Sequence, residues 1–278
     1  KDLHLCTTRF KPRAVASVIS NLKNEMTTPD SFLKRVNSQF EEVVSKGYPV
    51  YENSLRNSNA FDFDDLITIP LKLFNNNPDI LEKYQKRFRH VLVDEYQDTN
   101  RAQYLLLKKL TASHNNLFVV GDDDQSIYRW RGADINNILD FEKDYRNCQV
   151  YRLEQNYRST KTILSAANSV VCNNKGRKVK KLWTDGSTGE KVELIETADS
   201  KIEADEIVKK IKEEVFRNKR VFRDFAILYR TNAQSRALEA SLKRSGMAYT
   251  IVGGVRFYDR KEIKDILAYL RLITNVKD

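Results

Sequence analysis

The sequence predicts an α/β protein built on parallel sheets and preceded by a helical region. Three observations carry this. The β-type runs Val91-Leu92-Val93 and Leu117 to Val120 flank a helical pattern from Ala102 to Leu110, an alternation whose crossover implies parallel strands. Two acids, Asp94 and Glu95, follow the first run directly, at the strand end where open α/β sheets place their ligand chemistry. From Phe10 to Arg56 the apolar residues recur at helical spacing.

Along the chain, Val15, Val18, Ile19 and Leu22 form one helical stripe, and Phe32, Leu33, Val36, Phe40 and Val43-Val44 form a second. Thr28-Pro29-Asp30 separates them and can start the second helix. The basic residues Lys23, Lys34 and Arg35 read singly as parts of a solvated helix face. Phe61 to Ile67 opens a helix that runs through Leu73-Phe74, and Pro78 precedes another that ends near Lys86-Arg87. Beyond the two strands, further β-type runs lie at Gln149 to Leu153, Val192 to Ile195, Phe225 to Tyr229 and Tyr249 to Val252. Helices are expected at Ile163 to Val171, Ala204 to Phe216 and Ala233 to Arg244. The lysine-rich, glycine-punctuated stretch Asn173 to Gly189 is expected to be a loop.

The 278 residues carry 48 Lys+Arg against 38 Asp+Glu, a net charge of +10, which favours polyanionic partners without proving one. Cys6, Cys148 and Cys172 are odd in number and lack metal-ligand spacing, so reduced thiols in a cytoplasmic protein are expected, and no zinc site. No apolar run approaches the roughly 18 residues of a membrane span.

An acidic pair after a strand suits metal binding and base work in nucleotide hydrolysis, and equally suits the capping of a following helix. The segment Gly121 to Ala133 packs Gln125, Tyr128, Arg129, Trp130 and Arg131 close together, a mixture suited to a surface that meets phosphates and bases. Half-buried packing of Tyr128 and Trp130 is the alternative. Tyr157 and Arg158 then offer a ring beside a guanidinium, although Arg158 also fits a surface position at a helix start.

In order, VDEYQDTNRAQ, GDDDQSIYRWRGA, LEQNYRST, LYRTNAQSR and IVGGVRFYDRKEIKDILAYLR resemble the superfamily 1 DNA helicases of the UvrD/PcrA/Rep type over essentially the whole chain. The resemblance implies RecA-like motor domains of the P-loop NTPase type. Residues 1–58 would be a helical, 1B-like inserted subdomain, where basic residues such as Lys23, Lys34 and Arg35 would meet duplex DNA. Residues 59–148 would be the C-terminal half of a 1A-like first motor domain. Residues 149–278 would be the N-terminal part of a 2A-like second motor domain, ending near the start of a 2B-like insertion. It also implies ATP and Mg²⁺ as cofactors, with Asp94 as the Mg²⁺ acid, directly or through water, and Glu95 as the base. Gln125 would sense the γ-phosphate, Arg158 would be the arginine finger, and Tyr157 would stack on adenine. Toward single-stranded DNA, it implies Tyr128 and Trp130 as stacking rings, Arg131 as a link to the ATP site, and Phe63 as a ring bordering a base pocket. A Phe at a helix start is also a common core residue, and that reading stays open. Arg230 and Asn232 resemble strand-contacting residues. For Gly253, Gly254, Phe257, Tyr258, Arg260 and Lys261 the likeness implies no definite role, and the glycines can simply permit a turn.

The implied activity is ATP-driven 3′ to 5′ movement on single-stranded DNA with duplex unwinding at junctions, in the company of repair or replication proteins. None of the glycines begins a GxxxxGK[ST] loop, which the family requires to cradle phosphates. That lack, with a start that is not Met, implies a segment of a longer helicase that is inactive alone. A non-catalytic nucleic-acid-binding module and the motor of a helicase-nuclease subunit are the alternatives.

Overall fold

A computed structural model describes residues 9–252 and 261–274, and the chain divides into two compact units, Lys1–Lys191 and Val192–Asp278. The first opens with helices α1 (Pro12–Asn24), α2 (Pro29–Leu33) and α3 (Gln39–Asn57). Thr28 caps α2, its hydroxyl accepting from the Ser31 amide at 3.3 Å with Pro29 just inside the helix, as the punctuation predicts. Ser38 does the same for α3 through the Glu41 amide. The two expected stripes meet in one core of Ile19, Leu22, Phe32, Val44 and Tyr48, with Val15, Val18, Val36 and Phe40 packed against it. Each fully buried aliphatic or phenyl side chain there contributes about 1.5–3 kcal/mol. Leu33 departs from its stripe and is exposed, because α2 ends at that residue and Phe32 alone turns inward.

Lys23 is the clearest correction in this region. Expected on a solvated face or against DNA, it is 4% exposed and pairs with Asp62 and Asp65 at 2.7 Å and Glu52 at 2.9 Å. The reason is its partners: α3 and the start of α4 (Asp65–Asn76) close three carboxylates over it, which makes burial of the charge tolerable. Lys34 and Arg35 are exposed.

After α5 (Pro78–Arg87), strand β1 (Val91–Val93) connects through α6 (Arg101–Thr111) to β2 (Leu117–Val119). The strands pair in parallel with Val91 opposite Leu117 and Val93 opposite Val119. Asn100 starts α6 with a reciprocal cap: its side chain accepts from the Gln103 amide, and Gln103 accepts from the Asn100 amide. Short helices α7 (Asn136–Leu139) and α8 (Phe141–Asp144) and then α9 (Lys161–Val171) complete this unit.

The second unit contains α10 (Ser200–Asn218), α11 (Ser235–Arg244) and α12 (Lys261–Thr274), with Val208, Ile211, Leu242 and Met247 as its core. The expected strands at Gln149 to Leu153, Val192 to Ile195, Phe225 to Tyr229 and Tyr249 to Val252 are not strands in the structure. In Phe225 to Tyr229 and Tyr249 to Val252 the alternation is nevertheless real, whereas Gln149 to Leu153 and Val192 to Ile195 are exposed throughout. Phe225, Ile227 and Tyr249 pack against the α10 and α11 core, whereas Leu228 and Val252 each stand 91% exposed. One-sided packing satisfies the inward residues, and Phe225 to Tyr229 and Tyr249 to Val252 line a cavity of about 820 Å³ in place of forming a ladder. Gln149 to Leu153 likewise lines a cavity of about 1600 Å³ beside β1 and β2 without pairing with them. Gly253, Gly254, Phe257, Tyr258, Arg260 and Cys6 lie outside the described residues, as does the side chain of Lys261.

Candidate functional site

The backbone turns sharply where β1 ends. Glu95 adopts φ 51° and ψ 42°, a left-handed conformation that costs a non-glycine residue about 1–3 kcal/mol and persists only where the surroundings enforce it. They do so from below. Tyr96 and Gln97 are each 1% exposed, the Tyr96 amide donates to the Val120 carbonyl at 2.9 Å, and the Tyr96 ring meets Phe141 edge-on at 5.6 Å. Asp94 and Glu95 therefore stand exposed above a buried anchor. Glu95 occupies the cap position of the 3₁₀ turn Tyr96–Asp98, yet its side chain makes no cap bond. Burial first, and then the nearby Glu95 charge, push the Asp98 carboxyl above its ordinary range.

Gln97 joins this turn to the next loop. Its side-chain nitrogen donates to Glu95 Oε2 at 2.7 Å, while its Oε1 accepts from the Asp122 amide at 2.9 Å. Asp122 in turn accepts from Gln125 Nε2 at 2.8 Å. A continuous polar chain thus runs Glu95, Gln97, Asp122, Gln125. It requires Gly121, where a Cβ would fall 2.6 Å from Gln97 Oε1 and 2.7 Å from Ile138 Cδ1.

Asp122, Asp123 and Asp124 bring carboxylate oxygens within 4.8 Å of one another. The cations there are supplied by the chain itself: Lys180 pairs with all three and Arg177 with Asp124 at 2.7 Å. Burial opposes the ionised Asp124, but hydrogen bonds from Arg177 and Asn174 and the Lys180 charge overcome it and hold the carboxyl below its ordinary range.

Beyond Gln125 the chain forms an aromatic and cationic turn. Tyr128 and Trp130 have ring centroids 6.4 Å apart, and the Arg131 guanidinium lies over both, 5.0 and 4.7 Å from their centres. Trp130 is 62% exposed, so the packing alternative fails for it. Gly132, at φ 84°, closes the turn, and Ala133 bridges to Asn100 while the Asp134 amide donates to the Thr99 carbonyl at 3.0 Å. The aromatic turn is therefore bolted to the end of the acidic turn.

Other expected site residues are placed less closely. Phe63 is 91% exposed at the start of α4, so it is not a core residue. Tyr157 is 85% exposed, its hydroxyl donating to Gln155 Oε1 at 2.8 Å. Arg158 is exposed before α9, its amide held by Asn156 Oδ1 at 2.9 Å, and among the described residues no ion pair joins it to Asp94 or Glu95. Arg230 and Asn232 lie exposed in the second unit before α11. The Arg230 amide donates to Gln234 Oε1, and the Asn232 carbonyl accepts from Ser235 Oγ.

Sequence reasoning did not single out Gln97, Lys180 or Arg177. Gln97 stands inside the acidic motif, where nothing in the neighbouring sequence marks a buried amide. Lys180 and Arg177 sit in a segment legible only as a loop, and nothing local connects them to aspartates far upstream.

Residues 1–146 match the UvrD/REP helicase N-terminal domain and residues 151–278 the UvrD-like helicase C-terminal domain. The whole chain is 52% identical to the ATP-dependent DNA helicase PcrA of Bacillus subtilis (strain 168). It is 51% identical to that of Staphylococcus aureus (strain Mu50) and 50% to that of Staphylococcus epidermidis. In each case the chain spans 38% of the relative's length.

Proposed function

The chain belongs to the UvrD/Rep helicase family, and on that premise we propose that it is the segment of a longer ATP-dependent DNA helicase that carries the hydrolytic acids and the strand-gripping rings. The observation that carries this reading is the single polar chain from Glu95 through Gln97 and Asp122 to Gln125, which ends beside the exposed Tyr128, Trp130 and Arg131 cluster. A module that only bound nucleic acid would have no use for a rigidly held carboxylate coupled to its binding turn.

The residues fit Mg²⁺ and ATP in part. Asp94 offers an exposed carboxylate with one oxygen taken by the Glu95 amide at 2.9 Å, which suits a cation that keeps several waters and takes few protein ligands. Bound there with ATP, Mg²⁺ would supply positive charge to offset the negative charge developing on the transferred phosphoryl oxygens. Glu95 accepts the proton of the attacking water as the base. Gln125 is an uncharged amide suited to the γ-phosphate oxygens, and Arg158 offers a planar fork to the same charge from the second motor domain. Tyr157 presents a bare π-face to adenine. Because the 278 residues contain no GxxxxGK[ST] loop, this chain alone is expected to hydrolyse ATP no faster than background.

On the DNA side, Trp130, Tyr128 and Phe63 stack on bases without regard to sequence, since every base has a π-face. Arg131 holds the rings and meets phosphate, and Arg230 and Asn232 contact the strand from the second motor domain. Residues 1–58 act as a 1B-like subdomain, 59–148 as part of the 1A-like motor and 149–278 as part of the 2A-like motor. Nucleotide drives stepping only if it binds the closed cleft more tightly than the open one. Movement runs 3′ to 5′, and the substrates are single strands and single-strand/duplex junctions met in DNA repair and replication. Among the described residues no helix is long and apolar enough to cross a membrane, and work on chromosomal DNA places the protein in the cytoplasm.

The test is the full reading frame and its product. A GxxxxGK[ST] loop upstream and ATP turnover stimulated by single-stranded DNA support the proposal. A full-length product that binds DNA but shows no stimulated turnover overturns it in favour of the binding module.

A further inference from the structure

The loop that follows α9 wraps the acidic turn more closely than a connecting segment needs to. Lys180 Nζ addresses three successive carboxylates, pairing with Asp122 Oδ1, with Asp123 Oδ1 at 2.8 Å and with Asp124 Oδ2 at 3.5 Å. Arg177 Nη2 donates to Asp124 Oδ2 at 2.7 Å, the Lys178 amide to Asp123 Oδ2 at 2.8 Å, and Asn174 Nδ2 to Asp124 Oδ1 at 3.1 Å. The side chains of Asp123 and Asp124 are 9% and 5% exposed, so solvent does little to separate their charges. Without cations between them, three adjacent carboxylates repel one another and the turn they form would open.

The same loop is tied at its far end to the segment that bears Tyr157 and Arg158. The Trp183 amide donates to the Glu154 carbonyl at 3.0 Å, the Asn156 amide to the Trp183 carbonyl at 2.8 Å, and Gln155 bridges Trp183 in parallel. Asn156 then holds the amides of Arg158 and Ser159 through its Oδ1. On the other side, Asp122 accepts from Gln125 as well as from Lys180, and Gln97 links it to Glu95.

We propose that Lys180, assisted by Arg177, is a positioning residue of the motor: its ion-pair cluster on Asp122, Asp123 and Asp124 sets Gln125 and docks the segment carrying Tyr157 and Arg158 in one event. The inference rests on the helicase reading above and adds residues to it. Lys180 touches neither nucleotide nor DNA in this scheme. It acts through Asp122 on Gln125, and through the backbone of Trp183 on the approach of Arg158. Lysine suits the task because one compact ammonium with three donors can serve three diverging oxygens.

The experiment uses the full-length helicase containing this segment, with Lys180→Met and Lys180→Arg compared with the parent. It reads kcat and KM for ATP in saturating single-stranded DNA, the Kd for that DNA and the far-UV circular dichroism. Displacing a positioned group by a fraction of an ångström to 1 Å lowers turnover steeply, so Lys180→Met should reduce kcat by about 10- to 100-fold. KM and the DNA Kd should stay within about 2-fold, and Lys180→Arg should recover part of the loss, because the charge is kept while a planar fork serves three diverging oxygens less well than an ammonium. A merely structural role would not produce this split with conservative rescue. If Lys180→Met does not fold, Arg177→Gln is read by the same criteria. An active parent whose Lys180→Met, or in that case Arg177→Gln, keeps kcat within about 2-fold overturns the positioning role, as does a loss confined to KM or to DNA affinity. A parent without DNA-stimulated turnover overturns the helicase reading itself, which is a different result.

Discussion

Gln97 donates its side-chain N–H to the Glu95 carboxylate at 2.7 Å, and its other amide atom accepts from the backbone of Asp122. One buried amide therefore sets the rotamer of the proposed base and the path of the adjoining loop together. Gly121 lets it do so, since a Cβ there would overlap Gln97 Oε1 and Ile138 Cδ1.

Gly121→Ala is expected to destabilise the chain by about 1–3 kcal/mol, the usual result of forcing a methyl into a packed site. The measurement is urea denaturation of parent, Gly121→Ala, Gln97→Ala and the double variant. In the double variant the Gly121→Ala cost should shrink, because one of the two clashing atoms is gone. Strictly additive costs would show that Gln97 does not occupy this position.

Glu95→Gln in the full-length helicase should leave ATP binding largely intact and reduce hydrolysis by roughly 100-fold or more, as the loss of a positioned base does. The check is nucleotide titration beside steady-state turnover. Turnover near the parent's rate would remove Glu95 from the chemistry.

Trp130→Ala should weaken single-strand binding by about 1–3 kcal/mol, the worth of one base stack, with little change in melting temperature because the indole is 62% exposed. A large fall in melting temperature with unchanged DNA affinity would count against stacking. Arg131→Ala is the companion: loss of a phosphate contact should reduce the salt dependence of binding by about one ion, a slope that loss of a stack leaves alone.

Lys23→Met should cost about 3–5 kcal/mol, since it leaves the carboxylates of Asp62 and Asp65 without their buried cation. The effect should depend on pH. Burial disfavours the ionised Asp62, yet the Lys23 hydrogen bond leads the interactions that hold its carboxyl below the ordinary value. Its contribution is therefore present above about pH 4 and lost as pH falls through the depressed folded value. The gap between parent and Lys23→Met should narrow when denaturation is repeated at about pH 3 in place of about pH 7. A gap unchanged across that range would argue that Asp62 is not the partner.

Local rules made much of the chain legible. The cap at Thr28, helical stripes meeting at Ile19, Leu22 and Val44, and the placement of Asp94 and Glu95 just beyond β1 all follow from neighbours in sequence. The acidic and aromatic motifs likewise sufficed to suggest the family, because they depend on residue type and order.

Tertiary structure alone decided the rest, and in each case the deciding partner is distant along the chain. Lys23 reads as a solvated base until Glu52, Asp62 and Asp65 enclose it. Lys180 reads as loop until it reaches Asp122. The runs Phe225 to Tyr229 and Tyr249 to Val252 alternate as strands do, but alternation records only which face is buried. Pairing needs a second backbone brought alongside, and no local pattern specifies that.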